Sequence, residues 1–169
     1  LDKIKAVALD VDGVLTDGTF VWGLNGEEYK SFSFADVMGV SLGRKAGVLF
    51  ALISGEDSPL VDRFAEKMRI ADVFKGCKDK ASALKMFAQR HGLDMSEVCF
   101  VGDDVNDLPA MELAGLAAAP ANAHESVKKK AAVVMQNCGG GGAVRELLDM
   151  LLFADTAERL SDMGRKIDG

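Results

Sequence analysis

Acidic side chains stand at the end of an apolar strand, where charge is costly. Asp10 and Asp12 follow the run Ala6-Val7-Ala8-Leu9 and lie two residues apart, so the strand period of two points both carboxylates the same way. Carboxylates that close repel each other and lose hydration unless a cation or a shared proton compensates them. Magnesium is the natural compensator for an all-oxygen site. Gly13 then allows a sharp turn that brings backbone amides toward an anion. The competing reading is plain turn chemistry, with Asp12-Gly13 acting as an ordinary Asp-Gly turn. Two further apolar runs bear on the choice: Val48 to Ile53 ends in Ser54-Gly55-Glu56, and Val98 to Val101 ends in Gly102-Asp103-Asp104-Val105-Asn106-Asp107. Lys80 opens a helical segment that can reach the same edge. Such an acidic cup, countered by a lysine and bordered by glycines, is an electrostatic liability without a bound cation, which favours the metal reading.

The elements that must position these residues alternate. Short buried-type strands, bounded by turn residues, exchange with amphipathic segments of helical spacing, as in a doubly wound, parallel α/β sheet. In such sheets ligands bind outside the carboxyl ends of the strands, where all the residues above fall. Thr19-Phe20-Val21-Trp22 and Glu28-Tyr29-Lys30-Ser31-Phe32 bracket Gly23-Leu24-Asn25-Gly26 and read as a β-hairpin. Helices are expected at 36–46, with Asp36 as N-cap, at 58–68, from 78 to about His91, and at 108–114, 125–131 and 143–152. Gly139 to Gly142 reads as a flexible break. One domain is expected over residues 1–152, followed by a polar tail over 153–169.

Composition narrows the class. The chain has 169 residues, 49% of them hydrophobic and 27% charged, with a net charge of −6. That balance is ordinary for a protein with a proper core and argues against a nucleic-acid surface. Lys128-Lys129-Lys130 reads as a solvated helix face. No run has the unbroken apolar length of a membrane span, and the first residues lack a secretory pattern, so a cytoplasmic protein is expected. Cys77, Cys99 and Cys138 lack metal-ligand spacing. His91 and His124 read as a helix-end and a loop residue.

In order, Asp10-Val11-Asp12-Gly13-Val14-Leu15-Thr16-Asp17, Ser54-Gly55, Lys80 and Gly102 to Asp107 resemble the four motifs of the haloacid dehalogenase superfamily, over about residues 4 to 152. The resemblance implies Asp10 as nucleophile on phosphorus and Asp12 as general acid and then base. Ser54 and nearby amides would hold phosphoryl oxygens, and Lys80 would neutralise charge. Asp10, the Asp12 carbonyl and Asp103 would bind magnesium, supported by Asp104 and Asp107. A carboxylate at Asp12 argues for phosphoryl transfer, since a halide leaving group needs no proton.

The intervals between motifs leave no room for a cap domain. The chain is thus similar to the capless subgroup, which includes phosphatases of eight-carbon 3-deoxy-octulosonate 8-phosphate and nine-carbon keto-deoxy-nononate 9-phosphate. That likeness implies a phosphorylated sugar-acid substrate and a homotetramer in which hairpin and tail help close a neighbour's site. Gly55-Glu56 with Lys67 resembles the nine-carbon branch, although Phe64 and Phe34 depart from it. The nine-carbon 9-phosphate is therefore the favoured substrate, with the eight-carbon 8-phosphate a close second, and Gly55, Glu56 and Lys67 are expected to bind it, the alternative for Glu56 and Lys67 being a surface ion pair. The other functions weighed are a general small-molecule phosphomonoesterase and a phospho-receiver-like binding module.

Overall fold

The computed structural model describes residues 3–153. The expected tail, and its closing of a neighbouring site, lie outside the described residues beyond Phe153. The chain opens with β1 (Ala6–Leu9), then the two-stranded antiparallel hairpin of β2 (Val21–Trp22) and β3 (Glu28–Tyr29). There follow α1 (Phe34–Lys45), β4 (Leu49–Ile53), α2 (Pro59–Met68), β5 (Asp72–Phe74), α3 (Lys80–Arg90) and β6 (Val98–Val101). The described part finishes with α4 (Leu108–Leu113), β7 (Leu116–Ala119), α5 (Glu125–Lys130), β8 (Val133–Val134) and α6 (143–153). Six strands form one parallel sheet in the order β5-β4-β1-β6-β7-β8. The doubly wound expectation holds, and the described residues contain no cap domain.

Alternation along β1 explains the two layers. Val7 and Leu9 face a core with Val40 of α1, Val61 and Phe64 of α2, and Leu147 and Leu148 of α6. Ala6 and Ala8 face the other way, toward Leu84 and Phe87 of α3, Ala110 of α4 and Val127 of α5. This second face is built largely of alanine: Ala51, Ala83, Ala88, Ala117 and Ala119 belong to it as well. Leu9 pairs in register with both Leu52 and Val101. Asp10, Ser54 and Asp103 therefore leave the sheet within one residue of the same level.

The hairpin is short, and several of its aromatic side chains find little cover among the described residues. Phe32 does find a partner, stacking on Phe64 with ring centroids 4.6 Å apart. Phe64, the departure from the nine-carbon pattern, is thus a core residue. Trp22 is 72% exposed and Tyr29 56%. No helix among the described residues is long and apolar enough to cross a membrane.

Asp36 does not cap its own helix, contrary to expectation. Ser33 occupies the N-cap of α1, and Asp36 lies buried in the first turn. Its carboxylate instead accepts the amides of Arg145 at 2.9 Å and Gly142 at 3.2 Å, capping the start of α6. Burial raises its pKa and the amides pull against that rise. A local spacing rule finds a cap for the nearest helix, whereas here the cap serves a helix a hundred residues away. Asp36→Ala should cost about 1–3 kcal/mol of stability, because it strips a cap and leaves buried amides unpaired. Urea unfolding within 0.3 kcal/mol of wild type, about the limit of such a comparison, would show that α6 starts without this cap.

Candidate active site

The site lies between β1 and β6, where the strand order reverses; this is the position at which open α/β sheets bind ligands. β1 delivers Asp10, which is buried. Lys80, the first residue of α3, reaches it with Nζ 2.9 Å from Asp10 Oδ1, and the same nitrogen lies 2.6 Å from Asp107 Oδ1. A cation at a helix N-terminus opposes the helix dipole. Here two buried carboxylates compensate, and although burial pulls the ammonium pKa down, they hold it above its ordinary value.

Asp107 is the buried organiser of the third loop. Its Oδ2 accepts the amides of Asp103 at 2.9 Å and Asp104 at 3.2 Å, while Oδ1 takes Lys80. Asp10, Asp103 and Asp107 each offer a carboxylate oxygen within 4.8 Å of the others. Burial, and then the charge of Asp107, push the Asp103 carboxyl up to about 6 and raise Asp10 well above the usual range. Lys80 alone cannot offset three carboxylates. An excess of hard oxygen donors in a buried setting fits magnesium, with Asp10 and Asp103 as the less committed ligands and Asp107 already bound to Lys80 and two amides. Asp104 sits exposed at the rim and accepts the Val105 amide at 2.7 Å.

The loop after β1 is held from beneath. Gly13 has φ +92°, and a side chain there would overlap the Asp103 carboxylate. The Thr16 hydroxyl, itself buried, accepts the Gly13 and Gly18 amides at 3.3 and 3.2 Å. Gly139 and Gly140 are not a flexible break. A side chain at Gly139 would overlap the Gly13 carbonyl, and the Gly140 amide donates to Val14 O at 3.1 Å. Asn122 joins both segments, donating to Gly13 O at 3.3 Å and accepting from Gly139 N at 2.7 Å.

Asp10, Asp12, Gly55, Glu56, Lys80, Asp103 and Asp104 line one cleft of about 250 Å³, together with Gly18, Phe20 and Asn106. Ser54 is buried at the end of β4, its hydroxyl accepting the Glu56 amide at 3.1 Å. A second cleft of about 580 Å³, between the hairpin and the start of α2, shares Glu56 and includes Arg63. Lys67 is not brought to either cleft. It is exposed on α2 eight residues beyond Pro59, about 12 Å further from the helix end that faces the site. The start of α2 lines the second cleft, so Arg63 reaches that cleft and Lys67 does not.

Lys30 is the site residue that the motif reading missed. Its Nζ lies 2.5 Å from Asp12 Oδ1 and 3.5 Å from Glu28 Oε1, with the side chain 1% exposed. Burial works against the ammonium, yet the two carboxylates outweigh it and its pKa is raised. Strand alternation around exposed Tyr29 carried a signal, since it turns Glu28 and Lys30 together to the opposite face. The histidines lie elsewhere. His91 Nε2 sits 2.7 Å from buried Asp72, at the start of β5 and so at the opposite edge of the sheet, and His124 caps α5.

Comparison with known proteins agrees with this geometry. Residues 28–147 match the haloacid dehalogenase-like hydrolase family. The 3-deoxy-D-manno-octulosonate 8-phosphate phosphatase KdsC of Escherichia coli is 37% identical over 153 residues, 90% of this chain and 81% of that protein. The crystal structure of the Moraxella catarrhalis phosphatase of the same name, in complex with magnesium, phosphate and KDO, superposes with a TM-score of 0.88 at 34% identity, covering 90% of this chain and 88% of that one. The cobalt-bound Haemophilus influenzae phosphatase gives a TM-score of 0.88 at 38% identity, with 90% of each chain covered. With the family match spanning most of the chain and relatives above 30% identity aligned along nearly all of it, the protein belongs to the haloacid dehalogenase-like hydrolase family.

Proposed function

We propose that this protein is a magnesium-dependent phosphatase of a phosphorylated 2-keto-3-deoxy sugar acid. The observation that carries the reading is the pairing of Lys80 with Asp10 beside Asp103, with Asp12 two residues on and lining the same cleft. Asp10 attacks phosphorus and becomes an aspartyl phosphate, while Asp12 gives a proton to the departing oxygen and later takes one from the hydrolytic water. Lys80 offsets charge on Asp10 and the phosphoryl oxygens, and Ser54 with the following amides holds those oxygens. Asp10, Asp103 and the Asp12 carbonyl would hold magnesium, which when bound neutralises charge between carboxylate and phosphoryl group. Asp107 positions Lys80 and the Asp103 backbone. A phospho-receiver needs no acid two residues beyond its phosphorylated Asp, so Asp12 speaks for turnover.

We take the eight-carbon octulosonate 8-phosphate as substrate. Relatives of that name align along nearly the whole chain, and the nine-carbon reading loses its cation with Lys67 exposed away from both clefts. Glu56 remains at the rim, able to accept hydrogen bonds from substrate hydroxyls. A homotetramer built through the hairpin would bury Phe20, Trp22 and Tyr29 and close an otherwise open cleft. The soluble, cytoplasmic setting of a sugar-acid biosynthetic enzyme belongs to the same proposal.

A phosphate-release panel tests the reaction. The eight-carbon ester should exceed the nine-carbon ester in kcat/KM by about tenfold, some 1.4 kcal/mol of transition-state discrimination, and both should exceed small phosphate esters. Asp10→Asn should fall below about one-thousandth of wild-type kcat without loss of stability, since it removes one of three crowded carboxylates. Near-wild-type turnover by that variant would overturn the mechanism, and equal turnover of all esters would point to a general phosphomonoesterase.

Magnesium should stabilise the protein in a pH-dependent way. Asp10 and Asp103 have raised pKa values in the folded state, so without metal their contribution to stability is present at low pH and is lost as pH rises through the folded values, about 6 for Asp103. Magnesium replaces the lost protons. Its addition should raise Tm more at about pH 7.5 than at about pH 5, and equal shifts would place the ion elsewhere.

Sedimentation velocity checks the assembly. A tetramer in the wild type that dissociates in Trp22→Ser is the expected result, and a monomer at micromolar concentration would leave the cleft to be closed by other means.

A further inference from the structure

Lys30 lies outside the motifs that mark the family, yet it makes the closest contact to Asp12. Its ammonium is buried, 2.5 Å from Asp12 Oδ1, and stands over the Phe20 ring at 4.8 Å from the centroid. The contact continues in both directions. Glu28 Oε1 lies 3.5 Å from the same ammonium and accepts the Ser58 hydroxyl at 3.1 Å. Ser58 is the N-cap of α2, whose side chain also accepts the Leu60 amide at 3.3 Å. An unbroken polar chain therefore runs from the loop after β1, through the hairpin, to the loop after β4.

We propose that Lys30 is the positioning residue for Asp12, and that the Glu28–Ser58 contact in turn fixes Lys30. By taking Oδ1, Lys30 stops rotation of the carboxyl group and leaves Oδ2 as the oxygen that serves the substrate. This rests on the phosphatase reading above. In the step concerned, a bond forms from an Asp10 oxygen to phosphorus while the bond from phosphorus to the ester oxygen breaks. The departing oxygen takes its electron pair and receives the proton from Asp12. A misaimed Asp12 hinders that transfer when the leaving oxygen is basic, and matters little when the leaving group is already stable as an anion.

The test is therefore a change of leaving group. kcat/KM reports the steps up to and including phosphoryl transfer to Asp10, so the later activation of water by Asp12 does not enter. Lys30→Met keeps the length and apolar stem of the side chain and deletes the charge. Its kcat/KM should fall at least about tenfold on an unactivated alkyl phosphate, a part of the roughly 10²–10⁴-fold that a positioned general acid contributes, and by less than about threefold on 2,4-dinitrophenyl phosphate. Lys30→Arg should recover part of the alkyl activity. Glu28→Gln, which leaves Lys30 in place, should show the same leaving-group selectivity to a smaller extent, and it keeps the test usable if Lys30→Met fails to fold. Equal losses on the two esters, or no loss on either, would overturn the proposal. Wild-type protein that hydrolyses neither ester with magnesium present would overturn the phosphatase reading instead.

Discussion

Crowded negative charge at one point of the sheet governs the structure. Asp10, Asp103 and Asp107 bring their oxygens within 4.8 Å, and Lys80 answers two of them. Losing Lys80 would leave two buried carboxylates uncompensated, a break that typically costs about 3–5 kcal/mol, whereas losing Asp10 leaves Lys80 still paired with Asp107. The fold accepts this concentration because β1 is the central strand, paired in register on both sides. Its end, and the ends of β4 and β6, cannot slide apart without breaking parallel ladders. Rigid elements thus hold together groups that would separate in a looser chain.

Around that point the polypeptide supplies successive supports. Gly13 passes close against Asp103, Asn122 ties Gly13 to Gly139, and Asp36 holds the start of the helix that follows. The hairpin lies between β1 and α1, beside the charged cluster. It is anchored by polar contacts of Glu28 and Lys30 on one face and by Phe32 on Phe64 at its base. Trp22 pairs with Glu28, so the exposed rings of Trp22 and Phe20 share the face of Glu28 and Lys30, whereas Tyr29 faces the other way. One face of this small element therefore carries both the polar contacts and two of the exposed rings.

The charged cluster was legible because each member ends a strand or starts a helix, where a charged side chain breaks an apolar pattern. Asp10, Asp12, Lys80, Asp103 and Asp107 meet as their spacing implied. Lys30 was not legible as a site residue, because its partner Asp12 lies eighteen residues back and nothing local links the two. Asp36 misled for a similar reason: its type suits the helix it begins, yet its hydrogen bonds go to α6. Lys67 lies away from both clefts of its own chain, since helical periodicity assigns a face and not a height along the axis. Gly139 to Gly142 looked flexible by composition, whereas close backbone approach at Gly139 and Gly140 and a positive φ at Gly142 are what require glycine there.

The alanine face of the sheet has a consequence for how chemistry and packing are coupled. Where side chains are methyl groups, a helix settles close to the strands, and its separation from them depends on very small volumes. α3 rests on that face through Ala83 and Leu84, and Lys80 begins the same rigid helix. The distance from its ammonium to Asp10 is accordingly a mechanical output of methyl-sized contacts elsewhere in the layer. A larger residue at Ala8 or Ala83 would lift the helix like a shim under a lever, and the defect would register first as a misplaced charge rather than as an unfolded protein.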